Sequence, residues 1–530
     1  MKSVWGWGLA DRFPDREARE AIGAQATALV GFAPPGVSDP SVERVVPPAR
    51  IEVPPALTHL VRADDDARAR HTYGRGFPDL VRGFHGDFSA APDVVAFPES
   101  EQQVAQILEW CSSEGYTVIP YGGGTSVVGG VEAPRPREGV VVSLDVGRLD
   151  RVREVDVVSR AALIEAGATG PRLEAQLARS GLSLRHYPQS FEHSTLGGWI
   201  ATRAGGHYAT QRTRIDDFVE AVRMITPAGL FQTRRLPSSG AGPSPERIVL
   251  GSEGTLGVIT EAWVRVVERP RYRARAALSF DGLLEAAEAA RAIVQAGLTP
   301  ANCRALDPME AALHGVRSDG RAVLLLAFES ADHAPSEGID RAVALAQAAG
   351  GRLEGHVRSE GPESTRPSGT DDERWREAFF QGPYLQNVMV SLGVVADTFE
   401  TACTWDRFRD VHAGIVDAVE TTMRRVAGAG RVSCRVTHVY PDGLAPYYTF
   451  LAPGHLDAAR MLDTWDALKR SASDAILRLG ATITHHHAVG RVHRPWYDRE
   501  RPALFAAMLR AAKREVDPKG ILNPGVLIDP

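Results

Sequence analysis

Three consecutive histidines, His485-His486-His487, give this chain its clearest capacity for proton chemistry. Imidazole titrates near neutral pH, so a small change of environment makes it an acid or a base. On a strand over Ala481–His487, His485 and His487 would face one way and His486 the other. Two imidazoles on one face could form an acid–base pair or, with a third ligand, hold a metal ion. No carboxylate stands at close spacing and no His-Glu-x-x-His pattern occurs, so no metal is assigned.

A different chemistry is written in glycine. Pro120-Tyr121-Gly122-Gly123-Gly124-Thr125-Ser126 leads to Gly129-Gly130, directly after the apolar run Tyr116–Ile119. Consecutive glycines allow several N–H groups to converge on one anion, and Thr125 and Ser126 add hydroxyls, so the segment reads as a diphosphate cradle. It is neither a P-loop nor a Gly-x-Gly-x-x-Gly turn, and a plain glycine hairpin is the alternative. A second cluster runs from Ser194 and Thr195 through Gly197-Gly198 to Thr202, and a third spans Gly251–Thr260, with Glu253, Gly254, Gly257, Val258 and Ile259. All three begin or end apolar runs, which suggests one long ligand touched repeatedly.

The surrounding texture supplies the elements. Strands are expected at Val94–Pro98, Tyr116–Ile119, Val140–Leu144, Val152–Asp156, Ala162–Glu165 and Val219–Ile225, and helices at Ser100–Ser113 and Gly170–Ser180. Beyond Arg269-Pro270 a second unit alternates strand Ala274–Phe280, helix Leu283–Gln295, strand Ala322–Phe328 and helix Gly338–Ala349. Helix Trp405–Ala427 and strands Ser433–Thr437 and Tyr447–Leu451 complete it. Residues 351–374, rich in Gly, Ser, Pro and Asp, read as a mobile loop. At 530 residues, two or three domains are expected.

A formal charge of −6, with no basic run punctuated by aromatics, argues against a nucleic-acid partner. Cys111, Cys303, Cys403 and Cys434 lie too far apart for a zinc knuckle or a disulfide framework, which suits a reducing compartment. The N-terminus lacks the apolar stretch of an export signal, and no run of eighteen apolar residues occurs. A cytoplasmic protein is expected, with peripheral membrane contact left open.

Pro120–Gly130, Ser194–Gly206 and Gly251–Thr260 together resemble the FAD-binding domain of the vanillyl-alcohol oxidase/PCMH flavoprotein superfamily. Trp5–Gly8, His186-Tyr187-Pro188, Ser194–Trp199, Gly251–Thr260, the region from Tyr447 and the histidine triplet resemble its alkyldihydroxyacetonephosphate synthase branch. The resemblance implies an α+β fold: an N-terminal arm over 1–91 and a two-subdomain PCMH-type FAD domain over 92–270. It further implies an α+β cap over 271–480, and a C-terminal segment, 481–530, returning to the FAD domain. It implies non-covalent FAD, with cofactor contacts from the glycine clusters and from His186, and a homodimer. The implied activity exchanges the acyl group of acyl-dihydroxyacetone phosphate for a fatty alcohol through an adduct at flavin N5. Arg304 would hold the phosphate, Tyr447 would steady the departing carboxylate, and His485, His486 and His487 would move protons. Ala488 stands where that family typically has glycine. An FAD-dependent D-2-hydroxy acid dehydrogenase, with Arg304 on a carboxylate, is the alternative, and a non-catalytic flavin-binding scaffold is the third reading.

Overall fold

In the computed structural model, residues 2–135, 139–362 and 371–529 are described, side chains 371–380 excepted. Ser100 accepts the N–H of Gln103 and starts helix Glu101–Glu114. The Gln103 side chain returns to the N–H of Glu99, one residue earlier than a regular capping box requires. Val104, Ile107, Leu108 and Cys111 are all buried on one face of this helix. Each large aliphatic buried this way contributes about 1.5–3 kcal/mol. They pack on a four-stranded sheet ordered Val61–Arg62, Val94–Ala96, Val141–Asp145, Thr117–Tyr121. The last strand delivers the chain straight into Gly122. The C-terminal tail lies alongside it, with Val118 donating to Ile521 O and Asn523 donating to Val118 O.

A second, antiparallel sheet is ordered Val152–Asp156, Ala161–Glu165, Val258–Arg265, Val219–Thr226, Gly229–Gln232. The third is the largest. Seven of its nine strands run in the order Arg352–Leu353, Tyr272–Phe280, Ala322–Ser330, Asn302–Leu306, Arg431–Val439, Gly443–Pro453, Val394–Glu400. Arg358–Glu360 and Cys403–Thr404 pair beside this path.

Strand alternation divides the third sheet's faces. Leu278, Phe280, Cys303, Ala305, Leu324, Leu326, Cys434, Val436, Tyr448 and Phe450 form one core with helices Leu283–Gln295, Ser336–Ala348, Phe408–Ala427 and Ala458–Arg478. The residues between them, among them Arg304, Arg435 and Tyr447, therefore point to the opposite face. Register then lines up Glu400, Tyr447 and Arg435 side by side across three adjacent strands.

Two expectations need correction. The stretch read as a mobile loop carries strands Arg352–Leu353 and Arg358–Glu360, and helix Asp371–Ser391 begins inside it; residues 363–370 lie outside the described residues. Ala481–His487 is not a strand but an irregular loop, so the expected alternation of the triplet does not hold.

Candidate functional site

One cavity of about 720 Å³ joins the three glycine clusters to the polar face of the large sheet. Pro120, Gly122–Ser126, Ser194, Thr195, Gly197, Gly198, Thr202, Glu253, Gly254, Gly257, Val258 and Ile259 line it from one side, and Arg304, Tyr447, His486 and His487 from the other. Gly129, His186 and His485 do not line it.

The glycines of the first cluster are required by protein packing as much as by any ligand. A Cβ on Gly122 would run into the Thr195 hydroxyl, one on Gly123 into the His193 carbonyl, and Gly124 sits at φ +66° against the Tyr121 ring. Loop and second cluster thus interlock at backbone distance. Among the described residues no protein acceptor meets the N–H groups of Gly123, Gly124 or Thr125. Unpaired amides at the wall of a cavity fit an anion such as a diphosphate. The nearby hydroxyls have protein partners: Ser126 accepts from Val128 and Gly130, Ser194 donates to Ser190 O and accepts from Trp199 Nε1, and Thr202 donates to Gly198 O.

On the sheet side, Arg304 donates to the His207 carbonyl at 3.0 Å and is almost fully buried. The Arg435 guanidinium lies 3.9 Å from the centre of the Tyr447 ring and pairs with buried Glu310 at 2.8 Å. Burial pushes the Tyr447 phenol up to about 12, although Arg435 opposes the rise. It is a proton donor at neutral pH, here directed to Thr398 Oγ1 at 2.9 Å.

Three carboxylates hold the histidine loop. Glu500 accepts the Ile483 N–H and the Thr482 hydroxyl. Glu400 accepts the N–H groups of His485, His486 and His487, each at 2.9 Å, and the Thr484 hydroxyl at 2.6 Å. Glu253 accepts those of Val489 and Gly490. Burial alone would raise the Glu400 carboxyl, but the facing His486 and His487 hold it well below the usual carboxylate range. Neither Glu400 nor Arg435 is marked by any local motif, and only sheet register brings them to the site. Ala488 has φ +72°, a conformation that favours glycine and costs about 1 kcal/mol for a residue with a Cβ.

The triplet separates into unequal members. His486 and His487 face the cavity with ring centres 4.9 Å apart. His485 turns away: its Nε2 meets the Tyr440 hydroxyl at 2.8 Å, and burial pulls its pKa down to about 3. Nitrogens of His438, His485 and His486 lie within 4.8 Å of one another, a spacing one metal ion could bridge. Two of these rings already engage protein, His438 Nε2 at Gly206 O and His485 Nε2 at Tyr440.

His186 packs between Trp199 and Phe218, behind Gly206, and burial lowers its pKa to about 3. His412 and His493 are lowered to about 4, also by burial. An unfolded chain takes up these protons below about pH 6.5 and the folded one does not, so stability is lost as pH falls through that range. The loss is about 1.4 kcal/mol per pH unit for each histidine. His186→Phe should therefore flatten the fall of the urea midpoint between pH 6.5 and 5, and identical slopes would refute the assignment.

Residues 92–233 match the family described as FAD binding domain, and residues 269–527 that described as FAD linked oxidases, C-terminal domain. The chain is similar to alkyldihydroxyacetonephosphate synthase of Dictyostelium discoideum, with 30% identity over 508 residues, 89% of this chain and 79% of the relative. It is also similar to the mitochondrial D-lactate dehydrogenase (cytochrome) of Arabidopsis thaliana, with 26% identity, 85% of this chain and 77% of that one. A solved structure of alkyldihydroxyacetonephosphate synthase superposes with a TM-score of 0.79 at 24% identity, covering 99% of this chain and 98% of the other, a likeness of fold.

Proposed function

Since this chain belongs to the PCMH-type FAD-binding flavoprotein superfamily, we propose that it is an FAD-dependent enzyme of the alkylglycerone-phosphate synthase type. It would exchange the acyl group of an acyl-dihydroxyacetone phosphate for a fatty alcohol. The observation that carries this reading is the composition of the cavity. Beyond the polar groups it is lined by Ile22, Leu313, Val388, Met389 and Leu451, apolar wall that a long chain needs and a small hydroxy acid does not.

Gly122–Ser126 would hold the diphosphate of FAD without a covalent tether, and bound FAD would supply the reactive ring. The chain's own groups do the rest. Arg304 offers charge-assisted hydrogen bonds to the phosphate. Tyr447, kept protonated, donates to the acyl carboxylate as it leaves with the electrons of the broken C–O bond. An imidazole of the triplet takes the proton that the alcohol gives up as its oxygen forms the ether bond. No net oxidation occurs.

The purified holoprotein is tested with palmitoyl-dihydroxyacetone phosphate and labelled hexadecanol, beside dye reduction with D-lactate and related D-2-hydroxy acids. Labelled alkyl product without dye reduction is expected, with Arg304→Leu raising KM for the phosphorylated substrate at least tenfold. Dye reduction without alkyl product defeats the synthase reading in favour of a dehydrogenase. Flavin that stays with the acid-precipitated protein defeats the non-covalent assignment.

A further inference from the structure

The two oxygens of Glu400 are engaged unequally, although the His485 N–H is shared between them at 2.9 Å each. Oε1 takes the N–H groups of His485, His486 and His487 and the Thr484 hydroxyl, and so fixes the backbone of the loop. Oε2 faces the imidazole of His486, 3.2 Å from Nδ1. A second atom also converges on that nitrogen: His485 Nδ1, at 3.0 Å.

The protons can be assigned from this convergence. Were His486 Nδ1 unprotonated, its lone pair would oppose a buried carboxylate with nothing between them, an unfavourable contact in a site this dry. With Nδ1 protonated, it donates to the lone pair of His485 Nδ1 at 3.0 Å, and the same N–H lies in electrostatic contact with Oε2, 3.2 Å away. His485 then carries its own proton on Nε2 and donates it to Tyr440, 2.8 Å away, whose hydroxyl can pass on to Thr213 at 3.3 Å. Every group in the chain His486–His485–Tyr440–Thr213 then has a compatible partner. The other nitrogen of His486, Nε2, meets no acceptor or donor among the described residues, and its ring lines the cavity.

We propose that Glu400 is a positioning residue that fixes His486 in the Nδ1–H tautomer, leaving the Nε2 lone pair directed into the cavity as the base. A carboxylate behind an imidazole selects the tautomer, orients the ring and stabilises the imidazolium once the proton is taken. Glu400 does this without reaching the cavity, and Oε1 holds most of the loop's N–H groups. The inference rests on the proposed role of the triplet as base, and not on the identity of the substrate.

Glu400→Gln isolates the second function. A glutamine oxygen in the place of Oε1 keeps the bonds from His486, His487 and Thr484 and one of the two from His485, while its NH₂ in the place of Oε2 inverts the group facing His486. The holoenzyme is labelled with ring-¹⁵N histidine, and His486 is assigned by difference with His486→Gln. The expected result is an Nδ1–H tautomer in the wild type and a shift towards Nε2–H in Glu400→Gln, with flavin content unchanged. Wild-type His486 found as Nε2–H overturns the inference whether or not the variant folds, and so does an unchanged tautomer in the variant. In turnover, Glu400→Gln should lower kcat about 10²-fold or more and change KM little. In a His486→Gln background it should cost nothing further, because the two act as a unit. Multiplying losses would show that Glu400 acts independently of His486. Absence of alkyl product from a wild type with the expected tautomer would defeat the synthase reading and leave this inference standing.

Discussion

Gly123→Val is expected to yield folded protein without flavin, whereas Gly130→Ala keeps its flavin. A Cβ at Gly123 meets two backbone groups of the second glycine cluster, the His193 carbonyl and Ser194 Cα, the latter at 2.8 Å. Backbone has no rotamer to escape into, so the branched side chain must push the loop away from Ser194–Thr195. The N–H groups of Gly123, Gly124 and Thr125 would then lose their common direction, and with it the anion site. Overpacking of this kind typically costs about 1–3 kcal/mol, which a protein of this size can absorb in stability. A cofactor cradle cannot absorb it, because its geometry is the function. At Gly130 the added Cβ meets Ser126 Oγ at 2.9 Å, a hydroxyl that can rotate. The check is flavin absorbance per protein after purification, with far-UV circular dichroism confirming the fold. Equal occupancy in the two variants would reduce the loop to an ordinary turn.

The same interlocking explains how far the sequence could be read. Local periodicity placed helix Leu283–Gln295 and the strand that ends at the glycine loop, because buried faces there repeat at helical or strand spacing within one segment. It also picked out the glycines, although for a partial reason: the convergence of amides was legible, but the close approach of His193 and Thr195 was not. Ala481–His487 failed as a strand because no strand pairs with it. The N–H groups of Ile483 and His485–His487 are taken by Glu500 and Glu400, and those of the segment that follows by Glu253, carboxylates brought close in space by the fold. For Glu400 the sequence shows a polar residue ending the strand Val394–Glu400 and nothing more. Its neighbourhood with Tyr447 and Arg435 is a product of strand register, which a single sequence does not state. Helix Asp371–Ser391 was obscured by the Gly/Ser/Pro-rich composition just before it and by Pro383 within it.

His486→Ala is expected to retain FAD and to lose about 10²–10⁴-fold in turnover, about 3–5 kcal/mol of transition-state stabilisation. The two halves of this expectation have separate causes. Flavin is retained because the loop is tied down through its backbone: Glu400, Glu253 and Glu500 hold N–H groups that an alanine still carries. Truncating the ring therefore leaves the wall of the cavity in place. Turnover is lost because the imidazole faces the cavity with one nitrogen while the other is engaged behind it, the arrangement a general base needs. His487→Ala should also keep its flavin and lose turnover, but less steeply. The His487 ring lines the same cavity, yet its Nδ1 lies 4.0 Å from Glu400, beyond a direct hydrogen bond, and burial holds its pKa well below the ordinary value. It suits a neutral hydrogen-bonding group that orients substrate better than a group that must become an imidazolium. The measurement is kcat and KM for the proposed alkyl exchange on flavin-replete variants. Near-wild-type kcat in His486→Ala would return the triplet to a structural role, and a larger loss in His487→Ala than in His486→Ala would transfer the role of base to His487.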